Sequence, residues 1–239
     1  MFCNSMACRA LVLIGLCVLA PQALAQALAI VPINQQLTPQ QRSASFTLTN
    51  QSDSEALVQI RGYAWSQTEH DDLYSPTAEL AVSPPFAKIA PGQKQVIRIL
   101  LRSPAGLSEK AYRVVFDQIP DRLSGKVEMA LRLTVPVFST AQPAGHPDVQ
   151  WQLQQVGAQL MLVAINRGTQ HAQLINLTLT AADGHVIKLK ATGLPYLLSG
   201  TQRKWPLEGV QVHPGQSTRV HVQTSGPGEH WDQWLELHD

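Results

Sequence analysis

Three absences bound this 239-residue chain before any motif is read. Its only cysteines, Cys3, Cys8 and Cys17, stand within the first 25 residues, so no disulfide can hold the rest together. Neither charge is in surplus. Setting Arg9 aside with that leading stretch takes the 18 basic residues to 17, against 17 acidic ones. This excludes a non-specific nucleic-acid binder, which needs a basic excess to displace phosphate counterions. Nor does any apolar stripe at helical spacing run for ten residues or more past the leading stretch.

What is present begins with a secretory signature. Arg9 gives a positive start, Ala10 to Leu19 an apolar segment, and Ala23-Leu24-Ala25 a small-residue cleavage site, so the mature chain is expected to start at Gln26. The apolar segment is shorter than the roughly 20 residues of a membrane-spanning helix, and no later stretch supplies one, so membrane insertion is not expected. Leu16 fills the place before Cys17 where a lipid-anchor signal carries a small residue.

The remainder reads as all-β, because short apolar or alternating runs recur between clusters of Gly, Pro, Asn, Asp and Ser. The runs Ser45–Leu48, Ala56–Trp65, Gln95–Leu101, Tyr112–Phe116 and Val127–Phe138 form a first group. A second comprises Gln150–Leu153, Leu160–Ile165, Gln173–Leu179, His185–Leu189, Arg219–Gln223 and Trp231–Leu237. Between them Ser139 to Asp148 holds Pro143, Gly145 and Pro147 without apolar periodicity. The expected division is therefore a signal at 1–25, a first sandwich at 26–138, a stiff linker at 139–148 and a second sandwich at 149–239. Ala90-Pro91-Gly92-Gln93 has proline and glycine where a type II turn needs them.

The most regular run is Val127, Met129, Leu131, Leu133, Val135 and Val137, with Glu128, Ala130, Arg132, Thr134 and Pro136 between. Side chains alternate faces along a strand, so one face of this one is wholly apolar. Pro136 offers no backbone N–H and belongs at a sheet edge, a strand end or a bulge. Two readings follow, an ordinary core-facing strand or an edge open to another strand.

Several tracts decide how that strand is read further. Ser83-Pro84-Pro85-Phe86, then Ile89-Ala90-Pro91-Gly92-Gln93 and Val96-Ile97-Arg98-Ile99, resemble the periplasmic pilus-assembly chaperones of the chaperone-usher pathway. So do Tyr112 to Pro120, with its Gln118-Ile119-Pro120 ending, and Leu162 to Gly168. Tyr196 to Trp205 resembles a tract of the branch that serves spore-coat-U-like pilins, and the short stretch Asp121–Lys126 resembles the short-loop branches that build rod-like or thin adhesive pili. The resemblance implies two immunoglobulin-like sandwiches in an L, and a role in binding, folding and capping pilin subunits in the periplasm before delivery to an outer-membrane usher. It implies donor-strand complementation, with Val127, Met129, Leu131 and Leu133 entering the subunit's groove. It also implies a cleft arginine and lysine that hold the subunit's C-terminal carboxylate. Asn34 and Pro136 stand at those places here, which leaves Arg113 and Arg132 as candidate anchors.

No catalytic or cofactor motif accompanies these tracts. Eight scattered histidines show no metal-ligand spacing, so no metal is expected. Glu69-His70-Asp71-Asp72 reads as a solvated turn rather than a calcium loop. There is no Gly-x-Ser-x-Gly elbow and no phosphate-cradling loop, so no enzyme is expected. Trp65, Trp151, Trp205, Trp231 and Trp234 allow a carbohydrate-binding module as an alternative, and a two-domain pilin or adhesin subunit is another. An apolar edge also allows self-association of the free protein.

Overall fold

The computed structural model describes residues 28–103, 108–120, 130–140, 145–189, 195–210 and 217–237, and among these there is no helix. Alternating apolar residues between 28 and 139 produce ten strands. They are β1 (Leu28–Val31), β2 (Gln35–Leu37), β3 (Ser43–Asn50), β4 (Ala56–Gln67), β5 (Asp72–Pro76), β6 (Leu80–Ser83), β7 (Phe86–Ile89), β8 (Lys94–Leu101), β9 (Lys110–Ile119) and β10 (Arg132–Ser139). One sheet runs β1-β3-β8-β6. The other runs β2-β10-β9-β4-β5, with β7 also on β4.

The two sheets bury their facing rows. In β8 the residues Ile97, Ile99 and Leu101 are buried, while Val96, Arg98 and Leu100 face outward. Phe46 of β3 meets Phe116 of β9 edge-on at 5.9 Å across the core. The tight connection before β8 is the expected type II turn, since Gly92 has φ 70° and Gln93 N–H donates to Ala90 O at 3.0 Å.

Eight strands follow from residue 149: β11 (Val149–Val156), β12 (Gln159–Asn166), β13 (Ala172–Gln173), β14 (Ile175–Ala181), β15 (Tyr196–Leu197), β16 (Gln202–Pro206), β17 (Thr218–Gly226) and β18 (Glu229–Leu237). They pair among themselves as β11-β12-β16, β13-β15 and β14-β17-β18, around a separate core holding Trp151 and Trp205. Each sandwich ends one strand on a fully buried asparagine. Asn50 Nδ2 donates to Ser54 O and Ile89 O, and Asn166 Nδ2 donates to Gln170 O and Leu197 O. An amide has donors and an acceptor at one end, so it can satisfy both sides of a tight corner.

Several expected elements differ. His185–Leu189 is not a strand but makes only isolated bridges at Val186 and Leu189, and Gln173–Leu179 is broken at Leu174. The strand expected at Val127–Phe138 is seen as Arg132–Ser139, and residues 121–129 lie outside the described residues. The signal segment and residues 141–144 of the linker lie outside them as well.

Candidate functional site

Backbone register makes β10 an unevenly covered strand. Leu131 O accepts the Gln118 N–H at 2.8 Å, and the ladder with β9 then continues to Ser139. In an antiparallel pair each residue turns both peptide groups to the same side, so the odd-numbered residues bond β9 and the even-numbered ones face the opposite margin. There β2 pairs in parallel with Val137–Ser139. From Arg132 to Thr134 that margin has no strand beside it among the described residues. Pro136 stands where the cover ends, on the side where it costs β9 no hydrogen bond.

The side chains of β10 divide with the same parity. Val135 and Val137 are buried in the first core, and Leu133 packs half-buried against it. Leu131 is half-buried just before the strand, whereas Val127 and Met129 lie outside the described residues. The apolar row thus starts inside its own sandwich and continues toward an uncovered edge.

The two candidate anchors prove dissimilar. Arg132 Nε donates to Asp117 Oδ1 at 2.5 Å, and Arg61 takes the other oxygen at 2.5 Å, on an exposed patch of the sheet. Partial burial pushes the Asp117 carboxyl up, but the hydrogen bonds from both arginines outweigh it and hold the carboxyl below its usual range. Arg132 therefore already has an acid partner, which it shares with Arg61.

Arg113 is 9% exposed and makes no ion pair among the described residues. Its guanidinium carbon lies 3.6 Å from the Trp65 ring centre and 5.5 Å from that of Tyr196, and its Nε has no hydrogen-bond partner. Burial draws its pKa down from the ordinary value while Tyr74 beside it works the other way, and an arginine so placed stays charged. The register sets Arg113 directly opposite Pro136. Opposite Cβ atoms are about 5 Å apart, so this long side chain reaches the space a basic residue at 136 would occupy. Arg113 and Arg132 are about 13 Å apart along the strands, too far to grip one carboxylate together.

The second sandwich faces this sheet. Trp65, Phe138, Tyr196 and Leu198 form a shared apolar cluster between the two halves. Asn34 borders an adjoining cavity of about 260 Å³ with Gln36, Gln170, Gln173 and Glu229, a wall richer in amides than in charge. At the far margin of the sheet the β4–β5 turn docks on the tract 196–205. Gln67 accepts Leu198 N–H at 2.8 Å and donates to Tyr196 O at 3.0 Å. Arg203, only 1% exposed, pairs with Asp72 at 3.1 Å, and Lys204 pairs with Glu69 at 2.9 Å.

The acidic tract is therefore no solvated turn, since Glu69 and Asp72 are interdomain contacts whose partners lie more than 130 residues away. Local sequence held no signal for that. Trp65, Trp151 and Trp205 are core or interface residues. Trp234 is 46% exposed, but His221 stacks on it at 4.7 Å and the Arg219 guanidinium lies 5.2 Å from its centre, which leaves little free ring face for a sugar.

Residues 32–146 match the profile of the family described as pili and flagellar-assembly chaperone, PapD N-terminal domain. No curated protein matches the chain. Among solved structures it is similar to a chain of the CsuC-CsuE chaperone-tip adhesion subunit pre-assembly complex from the archaic chaperone-usher Csu pili of Acinetobacter baumannii. That match has 23% identity and a TM-score of 0.64, over 87% of this chain and 98% of the other. The E. coli chaperone DraB matches at 20% identity and a TM-score of 0.57, over 89% and 98%. A chain of the Salmonella enterica SafA pilin complex with the SafB chaperone matches at 14% and 0.61, over 89% and 96%. At these identities the likeness shows a shared two-domain β fold.

Proposed function

We propose that this chain, which belongs to the pili and flagellar-assembly chaperone family, caps pilin subunits in the periplasm by lending them the edge of β10 and passes them to an outer-membrane usher. The observation that carries this reading is the uncovered margin at Arg132–Thr134, backed by an apolar row that runs on from Leu133 through Leu131 toward Met129 and Val127. A subunit lacking a strand exposes both a backbone ladder and core surface, and a donated strand satisfies the two together.

Fully burying one such side chain is worth about 1.5–3 kcal/mol, more than the roughly 0.5–1.5 kcal/mol net of a hydrogen bond. Apolar fit therefore dominates affinity, with Leu133 adding least because its own core already half-buries it. The polar contacts set register. In this reading Arg113 holds the subunit's C-terminal carboxylate, since it is a cleft cation with no acid partner among the described residues. The tract at 196–205 supports a position nearest the branch serving spore-coat-U-like pilins. The reading requires no catalytic step.

The test is Leu131→Asp. The variant keeps the fold and loses recovery of soluble pilin when the two are produced together in the periplasm. Undiminished recovery would refute donor-strand binding, and finding this chain as a stoichiometric part of purified fibres would favour a structural subunit instead.

A further inference from the structure

We propose that His171 is a positioning residue for subunit capture: from the second sandwich its imidazole holds both strands at the base of the β9–β10 hairpin. It thereby fixes the direction in which the lendable edge leaves the cleft. This rests on the donor-strand reading above.

Glu109 immediately precedes β9, and Phe138 is the next-to-last residue of β10, paired with Ala111. His171 touches both. Its backbone N–H donates to Glu109 Oε1 at 2.9 Å, and its Nδ1 lies 2.8 Å from the same oxygen. A carboxylate only accepts, so Nδ1 carries the proton. The imidazole also lies flat on Phe138, 3.5 Å between centres and 9° from parallel. Thr169 O takes the Glu109 N–H at 3.4 Å, a backbone tie to the same loop.

Burial makes the hydrogen bonds count. The Glu109 side chain is 1% exposed and its Oε2 has no partner, so Oε1 carries the whole compensation for a desolvated carboxylate. Position makes the contact directive. In the sheet order β2-β10-β9-β4-β5, the Gln67–Asp72 dock secures the β4–β5 margin and His171 secures the β9–β10 margin. With one clamp alone the sheet can tilt about the other margin. Any tilt at the base is multiplied along β10, whose eight residues span about 26 Å.

The experiment uses the full mature protein with His171→Ala, which removes ring and donor. His171→Phe keeps the stack, His171→Asn keeps a donor, and both guard against a folding defect. In His171→Ala the amides of Lys110, Tyr112, Val137 and Ser139 should exchange about ten-fold faster, roughly one hydrogen bond's contribution. Exchange in β17 and β18 should not change. Capture of a pilin subunit should slow by a similar factor, and the Phe and Asn variants should each restore part of both effects. Unchanged exchange at the hairpin base overturns the proposal, as does a loosened base with full capture speed. Failure of the donor-strand reading is seen separately, as normal capture by Leu131→Asp, a change that leaves exchange at the base untouched.

Discussion

Replacing Arg113 with methionine keeps most of the stem's length and removes the charge. Two effects on the free protein oppose each other. The stack on Trp65 at 3.6 Å is lost, worth up to about 2 kcal/mol when desolvated. A buried cation with no acid partner among the described residues also disappears, which returns desolvation energy of similar size. Fold stability should thus change by no more than about 1 kcal/mol. Capture should change much more. A hydrogen bond to a charged group contributes about 1.5–3 kcal/mol, so losing a two-pronged grip on a carboxylate weakens binding on the order of 100-fold. The assay compares a pilin subunit bearing a free C-terminal carboxylate with the same subunit amidated there. Amidation should weaken capture by the wild-type chain about 100-fold and capture by Arg113→Met hardly at all. An amidation penalty that persists undiminished in Arg113→Met would refute the reasoning and return the role to another group.

Two further outcomes concern how the halves and the hairpin are held. Arg203→Met leaves Asp72 in the interface without its guanidinium, and breaking a buried pair costs about 3–5 kcal/mol. Urea unfolding of Arg203→Met, Asp72→Asn and the double variant should show strong coupling, whereas additive losses would mean that the pair does not act as a unit. Asp117 supplies a pH signature. Its carboxyl is held below 3.8, its ordinary value, so the stabilisation is present above that value and is lost as pH falls through the lower folded-state value. Thermal unfolding followed down an acid series should lose this component in the wild type. Asp117→Asn should lack it, and an identical acid profile in that variant would count against the triad.

The parts of the fold legible in the sequence were those where burial differs between the two sides of a strand. The β8 row is wet on one face and dry on the other, so polarity alternates and the strand can be read, whereas β10 alternates only as far as Thr134 and is buried on both faces beyond it. Strands β2, β6 and β7 have only three or four residues, too few for a period to register. β16 was hidden for another reason: its buried positions are Arg203 and Trp205, and an arginine inside a protein reads as a surface residue. His185–Leu189 misled in the opposite direction, because Ile187 and Leu189 pack into the second core while Val186 stays exposed, and the run makes single bridges rather than a ladder. Arg113 could be named from its strand, the neighbour of the one that carries Pro136. Its lack of an acid partner could not, since Trp65, Tyr74 and Tyr196 converge on it from distant stretches of chain.

Pro136 has an effect on the molecule's own folding. Strand β2 lies beside the last three residues of β10, and the chain leading into it carries Val31 and Ile33 largely bare to solvent, apolar enough to keep zipping along the neighbouring margin. A residue with an amide hydrogen at 136 would offer that zipper one more rung, before it reaches Pro32 and the strand β1 that is paired with β3. Proline offers nothing to the next tooth, so the zipper stops there. The missing hydrogen removes that rung, and with Pro32 and the commitment of β1 to β3 it leaves the margin from Arg132 to Thr134 without a strand of the chain's own among the described residues.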